Sequence, residues 1–130
     1  MKDFVFPKEY MVYLPAERKF LKGESIIARG IGMASNGQAI FAGMTPTPVV
    51  FCWFSGLYDI GKNKIYEGHI CKFHLKTDFG SLFEKWGVMK WQTGRFMFYS
   101  TNLPEGQVFE TVNIEIKGHE LENPELLAKI

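Results

Sequence analysis

Apolar residues in this chain come in short runs, broken every few positions by glycine, proline or a polar pair. Val49–Phe54 is an unbroken run of six β-favouring residues behind Pro46 and Pro48, and reads as a strand buried on both faces. Asp59, Gly61 and Asn63 then supply turn chemistry, because Asp and Asn side chains bond nearby backbone amides and Gly and Asn tolerate positive φ. Beyond the turn Cys71, Phe73 and Leu75 alternate with Ile70, Lys72 and His74, which predicts a strand with one core face and one wet face. Gly68 marks a bulge or a close backbone approach at the start of that strand. The pattern predicts a hairpin of two long strands, one of them bent, with Trp53 and Phe73 in a single sheet.

The rest of the chain reads in the same style. Tyr10–Leu14 is a strand ended by Pro15, Ala16–Lys19 a turn, and Phe20-Leu21 a resumed strand. Ser25–Ala28 and Gln38–Ala42 are further short strands flanking a glycine-rich stretch, Gly30 to Gly37. Gly30-Ile31-Gly32 lacks the third glycine and the helix of a dinucleotide fingerprint, so it reads as a turn or bulge. Residues 44–48 are extended, since a residue before proline is pushed out of the α region. Ser81 and Glu84 have capping-box spacing and Gly87 can end a helix, so one helical turn is expected over 81–87. Val88–Trp91, Gln92-Thr93-Gly94 and Arg95–Tyr99 make a second hairpin. Residues 102–107 are a loop. Val108, Glu110, Val112, Ile114 and Ile116 alternate with their neighbours as a last strand half open to water. Asn123, Pro124 and Glu125 are start signals for a short C-terminal helix.

These elements predict a mainly β fold: a small, partly closed antiparallel β-barrel with one short helical turn and a short C-terminal helix. At 130 residues one domain over 1–130 suffices, with residues 1–50 as its N-terminal strands and 51–130 as its core. Twenty aromatic residues, twelve of them Phe, fill such a core with large side chains. The net charge of +1 gives no whole-molecule field toward nucleic acid or membrane. Its distribution is uneven: residues 1–100 hold thirteen basic and eight acidic groups, net +5, and residues 101–130 hold two and six, net −4. That split suits either an internal pairing or a head-to-tail contact between subunits.

Cys52 and Cys71 fall on neighbouring strands of the first hairpin in apolar surroundings; two buried free thiols are preferred over a disulfide. The residues after Met1 form no signal peptide, and no run approaches the ~18 apolar residues that cross a bilayer. The expected location is the cytoplasm. His69, His74 and His119 lack the close spacing of a zinc site and there is no Cys-x-x-Cys, so neither metal nor cofactor is expected. Glu67 and His69 make a conceivable carboxylate–imidazole pair, but Gly68 between them breaks the alternation that would align them. Ser55-Gly56 lacks a nucleophile elbow and a base. No catalytic constellation is present, and the protein reads as a non-enzyme.

Three blocks resemble the YopX-like family of small phage and prophage proteins. Ser55-Gly56-Leu57 through Asn63, continuing to Ile65-Tyr66-Glu67-Gly68, is similar to the family's Thr-Gly-Leu-x-Asp-x-x-Gly/Asn-x-x-Ile-Tyr-Glu-Gly-Asp signature. Gly87–Trp91 with Gly94-Arg95-Phe96 resembles its next hairpin, and Val112–Gly118 with Glu122–Leu127 its closing block. The likeness covers about residues 51–130, with only a vague echo near Tyr13 and Lys19. Two positions depart from it: the aspartate that usually follows Glu-Gly is His69, and His119 stands where the tail usually has Asn. The resemblance implies a phage-borne, homo-oligomeric protein with no accepted catalytic activity. The motif residues Gly56, Leu57, Asp59, Ile65, Tyr66, Glu67, Gly68, Asn123, Pro124, Leu126 and Leu127 are then structural.

Two functional expectations follow. One is an accessory protein working through homo-oligomeric assembly or protein interaction, since exposed β-edges need covering and the Leu126-Leu127-Ile130 stripe must dock on its own barrel or on a neighbour's. The alternative is a small β-barrel that binds nucleic acid, with Lys72, Lys90 and Arg95 tracking phosphate and Trp91 stacking a base.

Overall fold

The computed structural model describes residues 9–34, 36–42, 46–92, 95–100 and 110–130. The expected extension over Met44-Thr45, the turn at Thr93-Gly94, the loop 102–107 and the start of the last strand at Val108 lie outside them. The described residues are strand-rich, with antiparallel sheets and few short helices, as expected. It divides into two compact units, Met1–Trp53 and Phe54–Ile130.

In the first unit β1 (Tyr10–Leu14) pairs antiparallel with β2 (Lys19–Lys22) on one side. On its other side lies the first half of β5 (Val50–Tyr58). Pro15 ends β1 as expected, and the Glu17 amide closes the turn on the Leu14 carbonyl. Val12, Leu14, Leu21, Ile26 and Ile31 form the buried cluster, with Tyr10, Phe41, Val49 and Phe51 against it. Ser25–Ala28 is not a strand. It lies in α1 (Glu24–Ala28), one turn closed by the Arg29 amide on the Ser25 carbonyl. Gly23 at φ +53° redirects the chain, and the turn places Ile26 in the cluster while Ile27 stays in water. The helix thus satisfies a packing demand that its β-branched residues do not announce. The glycine-rich stretch links β3 (Ile31–Met33) and β4 (Ala39–Phe41) as a hairpin. Gly30 is structural: a Cβ there would run into the Ala42 carbonyl.

In the second unit the end of β5 pairs with β6 (Lys64–Tyr66). The chain then bends at Glu67-Gly68 and continues as β7 (His69–Lys76). β7 pairs with β8 (Leu82–Gln92) and with β10 (Glu110–His119), and β9 (Arg95–Tyr99) follows β8, giving the order β10-β7-β8-β9. The bend at Gly68 is therefore as expected, but its consequence is not. It removes β7 from the β5 sheet, so Trp53 and Phe73 share no sheet, and the strands of Cys52 and Cys71 do not pair. Both cysteines are buried free thiols. Ile65, Cys71, Phe73, Leu75 and Met89 form the core, with Phe96, Phe98, Ile114 and Ile116 packed against it. Phe73 stacks on Phe98 with ring centroids 4.7 Å apart.

The expected helical turn over 81–87 is instead the start of β8. Thr77 and Ser81 close a tight hairpin, with the Ser81 amide on Thr77 Oγ1 and the Thr77 amide on the Ser81 carbonyl. From there Leu82 to Val88 pair residue by residue with β7. A ladder of seven paired residues along β7 outweighs one turn of helix. Gly87 is needed for space: a Cβ would sit 3.0 Å from both the Phe73 ring and the Tyr99 carbonyl. The alternation of β10 also breaks. Its register with β7 slips between Val112 and Glu115, where Asn113 adopts φ +55°, so Val112 and Ile114 do not share a face as even spacing suggests. The C-terminal helix forms as a 3-10 helix, η1 (Pro124–Lys129).

Candidate functional site

The motif residues build the two corners of the second unit. After β5 the Asp59 carboxylate accepts bonds from the amides of Gly61 (2.9 Å) and Asn63 (2.8 Å) and from the Asn63 side chain. Burial pushes this carboxyl up, but bonds from Asn63, Ile116 and Gly61 outweigh it and hold its pKa below the ordinary value. The Ile60 amide reaches the Ile114 carbonyl at 2.8 Å, tying the turn to β10. Gly56 sits at φ +83° with open space around it, and Leu57 and Tyr58 beside it are exposed. Ser55 is bonded to the Ile65 carbonyl (2.6 Å) and receives the Leu57 amide, a structural use of the hydroxyl.

The second corner is where β6 becomes β7. Ile65 and Tyr66 are buried, and the Tyr66 amide donates to His69 Nδ1 at 2.8 Å. His119, at the end of β10, stands directly opposite His69, with ring centroids 5.2 Å apart and planes at 73°. His119 is 3 % exposed. Its Nδ1 accepts the Leu121 amide (3.1 Å), so its Nε2–H donates to the Glu67 carbonyl (2.9 Å). Burial depresses the imidazole's pKa; the Glu67 bond and the nearby Glu120 charge oppose that shift without cancelling it. The His119 imidazole is thus bonded to Glu67 through the Glu67 backbone. The two positions that depart from the family motif, 69 and 119, are cross-strand partners. Nothing local to either residue signals this, because the pairing joins segments distant in sequence.

The tail docks on its own sheet. Asn123 does not cap η1 with its side chain. Its Oδ1 accepts the His119 amide at 3.1 Å instead. Pro124 opens η1, Leu126 packs over Gly118 so closely that a Cβ on Gly118 would lie 2.8 Å from it, and Leu127 stays exposed. The Lys129 ammonium sits 4.9 Å from the Trp86 ring centroid.

The basic residues fall on the strands as follows. Lys72 is opposite Trp86, Lys90 opposite Met97, and Arg95 opposite Gln92. By the alternation of strands all three share the face away from Phe73 and Met89. Trp91 is opposite Phe96 on the other, core-side face, their rings 4.5 Å apart. Two of the three charges are matched: Lys90 Nζ meets both oxygens of Glu120 at 2.8 and 2.7 Å, and Lys72 lies 3.3 Å from Glu84. Trp86 and Tyr99 are the aromatics beside them, and sequence reading missed both. The run Leu82–Trp86 looked helical, and alternation along β9 did not by itself say which of its faces is wet. Among the described residues no group of three or more His, Cys, Asp or Glu side chains is placed to hold a metal ion. No helix among them is long and apolar enough to cross a membrane.

Among the described residues the outer flank of β9 carries no strand, and β9 is the last strand of its sheet. Met97 and Tyr99 on it are 37 % and 52 % exposed. Nearby in sequence, at the β7–β8 hairpin, Phe79 is 97 % exposed and Leu82 and Phe83 are also in water.

Comparison with known proteins agrees with this architecture. The family model described as YopX protein matches residues 5–128, well beyond the 51–130 that the motifs alone cover. A solved structure, that of protein EF1440 from Enterococcus faecalis, is similar with a TM-score of 0.58 and 18 % sequence identity over 92 % of this chain and 96 % of that one. At that identity the likeness concerns the fold. No curated protein matches.

Proposed function

This chain belongs to the YopX protein family, and we propose that it is a non-enzymatic, phage- or prophage-derived accessory protein of the bacterial cytoplasm that acts through homo-oligomeric assembly or protein interaction. The observation that supports this reading is that β9, with Met97 and Tyr99 exposed, is the last strand of its sheet among the described residues. An edge strand bearing apolar side chains and a single charge, Arg95, lacks the lysines, prolines or bulges that keep such edges apart. The test is sedimentation velocity over a concentration series. Association above the 14.9 kDa monomer is expected, and a strict monomer at high concentration would overturn the reading.

The second reading is nucleic-acid binding through the face of Lys72, Lys90 and Arg95. What favours it is the placement of three cations with Trp86 on one sheet face. Glu84 and Glu120 weigh against it, since they neutralise two of the three. Anisotropy with labelled single-stranded DNA at low salt, where phosphate contacts are strongest, decides it; no signal there ends this reading.

A further inference from the structure

We infer that two copies of this chain join through β9 itself, antiparallel and about a two-fold axis at Met97, so that the sheet continues as β10-β7-β8-β9-β9-β8-β7-β10. This rests on the assembly reading above and names its surface, register and occupant. The strand reads Arg95-Phe96-Met97-Phe98-Tyr99, exposed at its first, third and fifth residues and half-buried at the second and fourth. An antiparallel pair centred on residue 97 places Arg95 opposite the second copy's Tyr99, Phe96 opposite its Phe98, and Met97 opposite its own copy.

That register suits both faces of the strand. On the wet face the one charge of β9 meets an aromatic ring rather than its own copy, and each guanidinium lies across from a tyrosine face. On the core-side face Phe96 and Phe98 already pack against the buried cluster, Phe98 stacking on Phe73, and they remain half-buried. The second copy's Phe98 and Phe96 would cover them and extend the cluster across the axis. Moving the two-fold axis two residues towards the strand's start, to residue 95, sets Arg95 against Arg95, with like charges in direct opposition. The register at Met97 avoids this and keeps all five residues paired. A second copy is therefore the occupant whose side chains match β9 position by position.

The test exploits the cross-axis partnership of Arg95 and Tyr99, which lie at opposite ends of β9 within one chain. Sedimentation velocity is run on the full chain and on Tyr99→Arg, Tyr99→Glu and the double variant Arg95→Glu/Tyr99→Arg, with circular dichroism confirming that each is folded. Both positions are exposed, so the fold is expected to survive. Tyr99→Arg faces two arginines with two arginines and should weaken association about tenfold. Tyr99→Glu should preserve or tighten it at low salt, and the double variant, with its ion pairs swapped across the axis, should recover it. If the parent chain associates but Tyr99→Arg behaves like it, or the double variant stays as weak as the single, this register is wrong while assembly stands. If the parent chain is monomeric throughout, both fall.

Discussion

Gly68 presents its bare Cα to the imidazole of His119. A side chain built there would overlap the ring, and the backbone stands at φ +92°. The Gly68 amide donates to the Met89 carbonyl and its own carbonyl receives the Glu120 amide, so the bend is bound on both flanks. His119 in turn holds the Glu67 carbonyl and the Leu121 amide. The corner where β6 turns into β7 is thus assembled around one glycine and one histidine.

Two glycines at similar backbone angles separate strain from crowding. Gly56 and Gly68 both have positive φ, but only Gly68 is crowded. Gly56→Ala should lower unfolding free energy by about 1 kcal/mol, the cost of the left-handed backbone. Gly68→Ala adds a steric conflict and should cost ~2–4 kcal/mol. Urea denaturation of both variants measures the difference, and equal losses would refute the packing of His119 on Gly68.

Stability should fall on mild acidification. His119 is held neutral in the folded state chiefly by burial, so its folded pKa lies below the unfolded value of about 6.5. The folded state then binds fewer protons than the unfolded one. The histidine's contribution is complete above about pH 6.5 and is lost as pH falls towards the folded pKa, at up to ~1.4 kcal/mol per unit. Urea midpoints at pH 7.5 and 5.5 should differ, and His119→Asn should flatten that dependence. A variant that keeps the full slope would place the titration elsewhere.

The Asp59 carboxylate organises its turn by accepting several bonds at once. Asp59→Ala leaves those amides without their acceptor and should cost about 1–3 kcal/mol. Because the folded pKa is depressed, the carboxylate's contribution is present above about pH 4 and disappears below it, a range distinct from that of His119. Denaturation of the variant at pH 7 and pH 3.5 should show a smaller loss at the lower pH.

The Cys71 thiol is pushed up to about 12, first by burial and then by the Asp59 charge. A thiol that does not ionise near neutral pH is a poor nucleophile. Neither Cys52 nor Cys71 should react with a thiol reagent such as Ellman's in native buffer, and both should react once the chain is unfolded in urea. Rapid labelling of the native protein would contradict their burial.

Much of the local structure was legible because local chemistry sets it. Pro15 ends β1, Asp59 and Asn63 make their turn, and Pro124 opens the last helix, each through bonds to near neighbours or a fixed φ. The motif around Gly56 to Gly68 carried the family for the same reason, since its residues serve two sharp corners. The errors arose where a segment's partner decided its state. Ser81–Gly87 has helix punctuation but lies beside β7, and Ser25–Ala28 has strand residues but must bring Ile26 to the core.

The amino-acid pattern by itself determined a strand-rich chain, the turns at Pro15 and at Asp59 to Asn63, its buried thiols and its family. Alternation states which side of a strand is apolar; it does not state which strand lies beside it. Only the folded chain decided that β7 leaves β5 at Gly68, that His69 meets His119, that Trp91 faces inward while Trp86 faces out, and that β9 is the last strand of its sheet among the described residues. Those outcomes depend on pairings between distant segments, whose free energy comes from shared ladders and shared cores rather than from any residue's own neighbours.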